Sequence, residues 1–181
     1  MKHILIISIL SIAFLAFRPA FTTSIYSQHF TALNGNEVSL SQWQGKKMLL
    51  VNMASESNYA AVQLPKLEQL YQQFKDSLVV IGFFSNDFGH ETRSNSDLKL
   101  LLQNTYHTSF PASQVMGVRD STGTTHPLYK WLQDETENGM MSAKVKNDFQ
   151  KYLVDKDGTL VGVFSARVNP MDTLITHAIT Q

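Results

Sequence analysis

The 181-residue chain contains no cysteine. That absence excludes disulfides, thiolate metal ligands, a lipid-modified cysteine as an anchor and any redox cycle run on the chain's own thiols. Net charge is also missing, because fifteen basic residues balance fifteen acidic ones. With no polybasic run, nucleic acid and anionic membrane surfaces are poor candidate partners, and no nucleic acid is expected. Charged residues reach only 17% against 43% hydrophobic, which excludes a disordered chain. There is no phosphate loop, dinucleotide fingerprint or G-x-S-x-G, so no cofactor is expected. Repeats and low-complexity tracts are absent as well.

Long apolar runs are scarce. The longest uncharged one, Ile4 to Phe17, is fourteen residues and follows the short basic start Met1 to His3. That is the size of a secretory signal's central region and short of the roughly 20 residues that span a bilayer. The expectation is a signal peptide or an amino-terminal anchor over residues 1–20, and one exported domain over 24–181. Without Lys2 and Arg18 the remainder carries thirteen basic against fifteen acidic residues.

What is present reads as α/β. Met48 to Met53 is a nearly continuous apolar run after Gly45, as suits a strand buried on both faces. Leu64, Leu67, Leu70, Tyr71 and Phe74 then recur at helical spacing, and Pro65 suits a helix start. Leu78 to Phe84 reads as a second buried strand. Asn34-Gly35 marks a hairpin between Phe30–Leu33 and Glu37–Leu40. Ser94 to Asp97 opens a helix with Leu98, Leu101, Leu102 and Thr105 inward, and Val115 to Val118 suits a short strand. His126-Pro127 opens a helix with Leu128, Trp131 and Leu132 inward. Phe149–Val154 and Thr159–Phe164 form a hairpin through Asp155-Lys156-Asp157-Gly158, which lacks the ligand spacing of a calcium loop. Pro170 to Ile179 closes the chain as a helix. Strand, helix, strand, helix and a late hairpin predict a central mixed sheet flanked by helices, preceded by an amino-terminal hairpin.

Four segments in order resemble the glutathione peroxidase family. Val51-Asn52-Met53-Ala54-Ser55-Glu56-Ser57 resembles its strand-to-helix turn, with Ser57 where the reactive cysteine or selenocysteine falls. Gly82-Phe83-Phe84-Ser85-Asn86-Asp87-Phe88-Gly89 is similar to its Phe-Pro-Cys-Asn-Gln-Phe-Gly loop. Pro127-Leu128-Tyr129-Lys130-Trp131-Leu132 resembles Pro-Leu-Tyr-Lys-Phe-Leu. Asn147-Asp148-Phe149-Gln150-Lys151-Tyr152-Leu153-Val154-Asp155-Lys156-Asp157-Gly158 resembles Trp-Asn-Phe-x-Lys-Phe-Leu-Val-Asp-Lys-Asp-Gly. The resemblance spans about Ser24 to Ile179 and implies a thioredoxin-like fold and a family role in thiol-dependent peroxide reduction and oxidative-stress response.

It also implies where a catalytic tetrad of Cys, Gln, Trp and Asn would fall: Ser57, Asp87, Lys146 and Asn147, of which the asparagine alone is kept. The position of a resolving cysteine is Asn104, and that of the structural cysteine is Ser85. A serine hydroxyl stays protonated near neutral pH and has no sulfenic-like oxidation state, so thiol peroxidase chemistry is expected to be lost. Asp87 and Lys146 are expected to compensate one another if the family geometry holds. What remains is an exported binding or scaffold protein, with a protein or small-molecule ligand at the former peroxidase cleft. The alternative is an enzyme with altered chemistry there, using a Ser57–Lys146 pair, Asp87, or a metal on Asp87, His90 and Glu91. No metal is expected. No histidine has a sequence reason to lie beside Ser57; His29, His90, His107, His126 and His177 are scattered and read mostly as surface or cap residues.

Overall fold

The computed structural model describes residues 23–120 and 123–181. The apolar run Ile4 to Phe17, and with it the expected leader, lies outside the described residues. Among those described, no helix is long and apolar enough to cross a membrane.

A short hairpin opens the fold. β1 (His29–Thr31) pairs antiparallel with β2 (Glu37–Ser39). Gly35, at φ +87°, makes the turn that Asn34-Gly35 predicts. The main sheet holds β3 (Lys47–Met53), β4 (Leu78–Phe84), β5 (Lys151–Val154) and β6 (Leu160–Phe164) in the order β4-β3-β5-β6. β3 runs parallel to β4 and antiparallel to β5, and β5 runs antiparallel to β6. The sheet is therefore mixed, as expected.

Both faces of β3 are buried, which is why its sequence does not alternate. Met48 and Leu50 pack with Phe30, Leu40, Leu128, Trp131 and Tyr152. Leu49, Val51 and Met53 pack on the opposite face with Leu64, Leu67, Leu70, Leu98 and Ile175. The second group comes from α1 (Ala60–Phe74), α2 (Asn95–Asn104) and α5 (Thr173–Thr180), and the first includes α3 (Pro127–Gln133). Each such apolar side chain removed from water stabilises the fold by about 1.5–3 kcal/mol.

Several boundaries differ from the sequence reading. α1 begins at Ala60, so Pro65 lies inside it rather than at its start. The carbonyl that Pro65 leaves without a donor, that of Ala61, belongs to an exposed residue, where water can replace the lost bond. Thr105 is an exposed carboxyl-terminal cap of α2, not part of its inward face. Ser94 does cap that helix, accepting the Asp97 N–H. Val115 to Val118 forms no strand. The Met116 N–H does donate to the Phe84 carbonyl at 2.8 Å, but the Phe84 N–H goes to the Ser113 hydroxyl at 3.2 Å rather than to a carbonyl, and the bridge to β4 is the isolated one between Gly82 and Ala112, before this stretch. The last helix starts at Thr173, capped by Asp172. A four-residue helix, α4 (Glu135–Asn138), was not foreseen.

Candidate functional site

At the carboxyl end of β3 the chain turns through Ala54 to Tyr59 before entering α1. Ser57 sits in this turn, 8% exposed. Its Oγ accepts the Tyr59 N–H at 3.4 Å and its carbonyl accepts the Ala60 N–H at 2.9 Å. No side chain caps α1, and the N–H groups of Asn58 and Ala61 have no acceptor among the described residues. An uncapped helix start of this kind presents positive partial charge beside Ser57.

The turn is held from behind by a buried carboxylate. Glu91 receives the Ser55 N–H at 2.7 Å, the Ser55 hydroxyl at 2.9 Å and the Arg93 N–H at 3.1 Å. Arg93 in turn donates to Ser55 Oγ and to Glu56 Oε1. The Glu56 N–H reaches the His90 carbonyl at 3.0 Å, which brings the 85–93 loop against the residue next to Ser57.

Asp87 is not a partner of Lys146. Its Oδ2 takes the backbone N–H groups of Val118 and Arg119 at 2.6 and 2.7 Å, so its charge is spent on tethering that segment. Lys146 is exposed and lines an open groove of about 510 Å³ with Ser142, Lys144, Gln150 and Ser165. Its Nζ hydrogen-bonds neither Ser57 nor Asp87. Ion pairs among the described residues include Lys47–Asp155, His90–Asp148, Arg93–Glu56 and Lys144–Asp120, and none involves Lys146. The expected Ser57–Lys146 and Asp87–Lys146 pairs are therefore absent among them. Asn147 is exposed too, and contributes its carbonyl oxygen to Asn52 Nδ2 at 3.0 Å.

The residue that does enter the site is Asp148. It is 3% exposed, and its Oδ2 lies 2.6 Å from Nδ1 of His90, which is 52% exposed. The signal for it lies in the sequence itself. With Phe149 and Lys151 set on the Phe and Lys of Trp-Asn-Phe-x-Lys, the Trp falls on Asn147 and the Asn on Asp148, one residue later than Lys146 and Asn147. Phe149 follows in a left-handed conformation, φ +62°, which a bulky side chain adopts only at a cost. Its N–H is fixed on the Asn52 carbonyl at 2.7 Å. Asp148 Oδ1 has no hydrogen-bond partner among the described residues, and neither has Asn52 Oδ1.

The metal cluster considered from sequence disperses: Asp87, His90 and Glu91 each bind a different partner. Among the described residues no group of three or more His, Asp or Glu side chains could hold a metal ion.

A mixed sheet with helices on both faces and a half-buried turn between a central strand and the next helix defines a thioredoxin-like protein. The crystal structure of "Trgpx" in apo form superposes with a TM-score of 0.66 at 32% identity, covering 88% of this chain and 97% of that one. A thiol:disulfide interchange protein from Chlorobium tepidum, at 15% identity and TM-score 0.62, shares the fold. The glutathione peroxidase family model matches residues 25–133. The glutathione peroxidase of Lactococcus lactis is 32% identical over 149 residues, covering 81% of this chain and 92% of that protein. The glutathione peroxidase-like peroxiredoxin GPX5 of Chlamydomonas reinhardtii is 35% identical over 148 residues, 80% of this chain and 88% of that one. The chain belongs to the glutathione peroxidase family.

Proposed function

We propose that this family member does not run a thiol peroxidase cycle and acts instead as an exported binding or scaffold protein, taking a protein or small-molecule ligand at the former peroxidase cleft. One observation carries the reading: Ser57 occupies the turn between β3 and α1, and the 181 residues offer no cysteine to replace it. Peroxide reduction in a thiol cycle needs a thiolate that attacks the O–O bond and is left as a sulfenic acid. A serine hydroxyl supplies neither the nucleophile nor the oxidation state. Export rests on the apolar run after Lys2 and His3; fractionation and amino-terminal sequencing of the expressed protein test it.

The central experiment is peroxide consumption by the purified protein with glutathione and, separately, thioredoxin as reductant, beside Ser57→Cys. Silence in the wild type with activity in the cysteine variant is the expected result. Turnover by the metal-free wild type would overturn the reading. Altered chemistry at the same cleft is a second reading. Asp87 and Lys146 do not support it, since they do not meet, but the Asp148–His90 pair does.

A further inference from the structure

We propose that the pocket between the amino-terminal hairpin and α2 binds a medium-chain fatty carboxylate, with its acid group on Lys99 and Gln103 and its alkyl body on the apolar floor beneath. The pocket shares no residue with the turn at Ser57, so this goes beyond a binding role at the former peroxidase cleft and stands without it.

The pocket holds about 520 Å³, within the range of small-molecule sites. Three stretches distant in sequence enclose it: residues 32–34 of the hairpin, one face of α2, and residues 108–112. Backbone bonds stitch these walls together. The Leu33 N–H donates to the Ala112 carbonyl at 3.1 Å, the Gln114 N–H to the Thr31 carbonyl at 2.8 Å and the Thr108 N–H to the Leu102 carbonyl at 2.9 Å. His107, left-handed at φ +50°, turns the chain out of α2 so that residues 108–112 return as a wall. A pocket braced in this way spends little of a ligand's binding energy on ordering loops.

The chemistry of the lining selects the ligand. Leu33, Leu102, Phe110, Pro111 and Ala112 form a floor with no polar side chain to offer a ligand's body. Most polar side chains of the lining are already used. The Thr108 hydroxyl donates to the Leu102 carbonyl at 3.3 Å, the Ser109 hydroxyl to Glu68 at 2.7 Å, and Asn34 Oδ1 accepts the Asn36 N–H at 3.0 Å. Lys99 and Gln103 remain, four residues apart on one face of α2, and neither side chain forms a hydrogen bond or ion pair among the described residues. Lys99 is the one charged residue of the lining, and the adjacent Glu68 is engaged by Ser109 and Gln72. One ammonium beside one amide matches a single carboxylate in charge and in donors, and the floor matches an alkyl chain.

The test is titration of the isotope-labelled full chain with sodium octanoate, followed by amide chemical shifts, beside octan-1-ol and sodium acetate. Expected are saturable shifts at Leu33, Lys99, Leu102, Gln103 and Phe110, with octanoate bound about 5-fold or more tightly than either control. Lys99→Gln should weaken octanoate about 5-fold and leave octan-1-ol unchanged, whereas Lys99→Arg should stay within about 2-fold of the wild type. Gln103→Glu sets a carboxylate beside the ammonium and should weaken octanoate about as much as Lys99→Gln. Both side chains are exposed, so thermal unfolding of the variants should match the wild type. Shifts that map elsewhere, titrations that do not saturate, octan-1-ol bound as tightly as octanoate, or Lys99→Gln without effect would each overturn the proposal. Ser57→Cys should bind octanoate as the wild type does, so this result and the peroxide assay stand or fall separately.

Discussion

The ammonium of Lys151 donates to the carbonyl of Phe149 at 2.9 Å and is wholly buried, with no carboxylate in an ion pair with it among the described residues. Burial pushes its pKa down from 10.5 to about 7. The unfolded chain therefore holds more protons than the folded one between those values, and stability rises with pH across that window. The full effect is on the order of 5 kcal/mol at most. Lys151→Met should remove this part of the slope, and should leave the protein at least as stable near pH 7. Urea unfolding of both proteins at about pH 7 and about pH 10 reads the difference; equal slopes would place the ammonium in contact with water.

His126 caps α3 by accepting the Leu128 N–H on Nδ1 at 3.3 Å. Burial, and then the nearby His29, lowers its pKa. The folded state resists protonation, so stability is lost as the pH falls below the ordinary imidazole value of about 6.5 and the acceptor becomes a donor. His126→Asn keeps an acceptor that does not titrate there. It should match the wild type near pH 8 and exceed it by about 1 kcal/mol near pH 5, measured by thermal or urea unfolding.

Tyr129 is fully buried between Phe83 and Tyr152, edge-on to each, and its hydroxyl has no partner among the described residues. Tyr129→Phe keeps the packing and removes an unsatisfied group, so stability should hold or rise by up to about 1 kcal/mol. Tyr129→Ala should cost about 3–5 kcal/mol through the cavity it leaves. A destabilised phenylalanine variant would mean that the hydroxyl finds a partner, such as an ordered water.

Asp87 and Lys146 should behave as strangers. Asp87→Ala deprives the Val118 and Arg119 N–H groups of their acceptor and should cost about 2–4 kcal/mol, whereas Asp87→Asn keeps an acceptor and should cost less. Lys146→Ala should stay within about 0.5 kcal/mol of the wild type. A double-mutant cycle that returned a coupling energy of 1 kcal/mol or more would restore the charge pair.

The sheet was legible because its signals are local. A strand buried on both faces must be apolar throughout, as Met48 to Met53 is, and the Asn34-Gly35 turn requires a positive φ that few other pairs supply. Boundaries were less so. Pro65 argued for a helix start, yet the preceding alanines extend α1 by a turn where a missing backbone bond is cheap. Val115 to Val118 has the composition of a strand but makes one backbone bond to β4, from Met116 to the Phe84 carbonyl, while the Phe84 N–H goes to the Ser113 hydroxyl. No propensity carries that information, because it depends on which side chain reaches the edge of β4.

By itself the sequence determined the fold and the loss of the thiol, since both follow from residue types read in order. Tertiary structure decided which polar side chains meet one another. Asp148 and His90 are 58 positions apart, and Asp87, one turn of loop from His90, faces away to the backbone at Val118. A carboxylate binds whatever donor is brought to it. In the folded chain the Asp148 carboxylate meets an imidazole, while Asp87, whose own N–H is held by the Ser85 hydroxyl, meets a pair of amides.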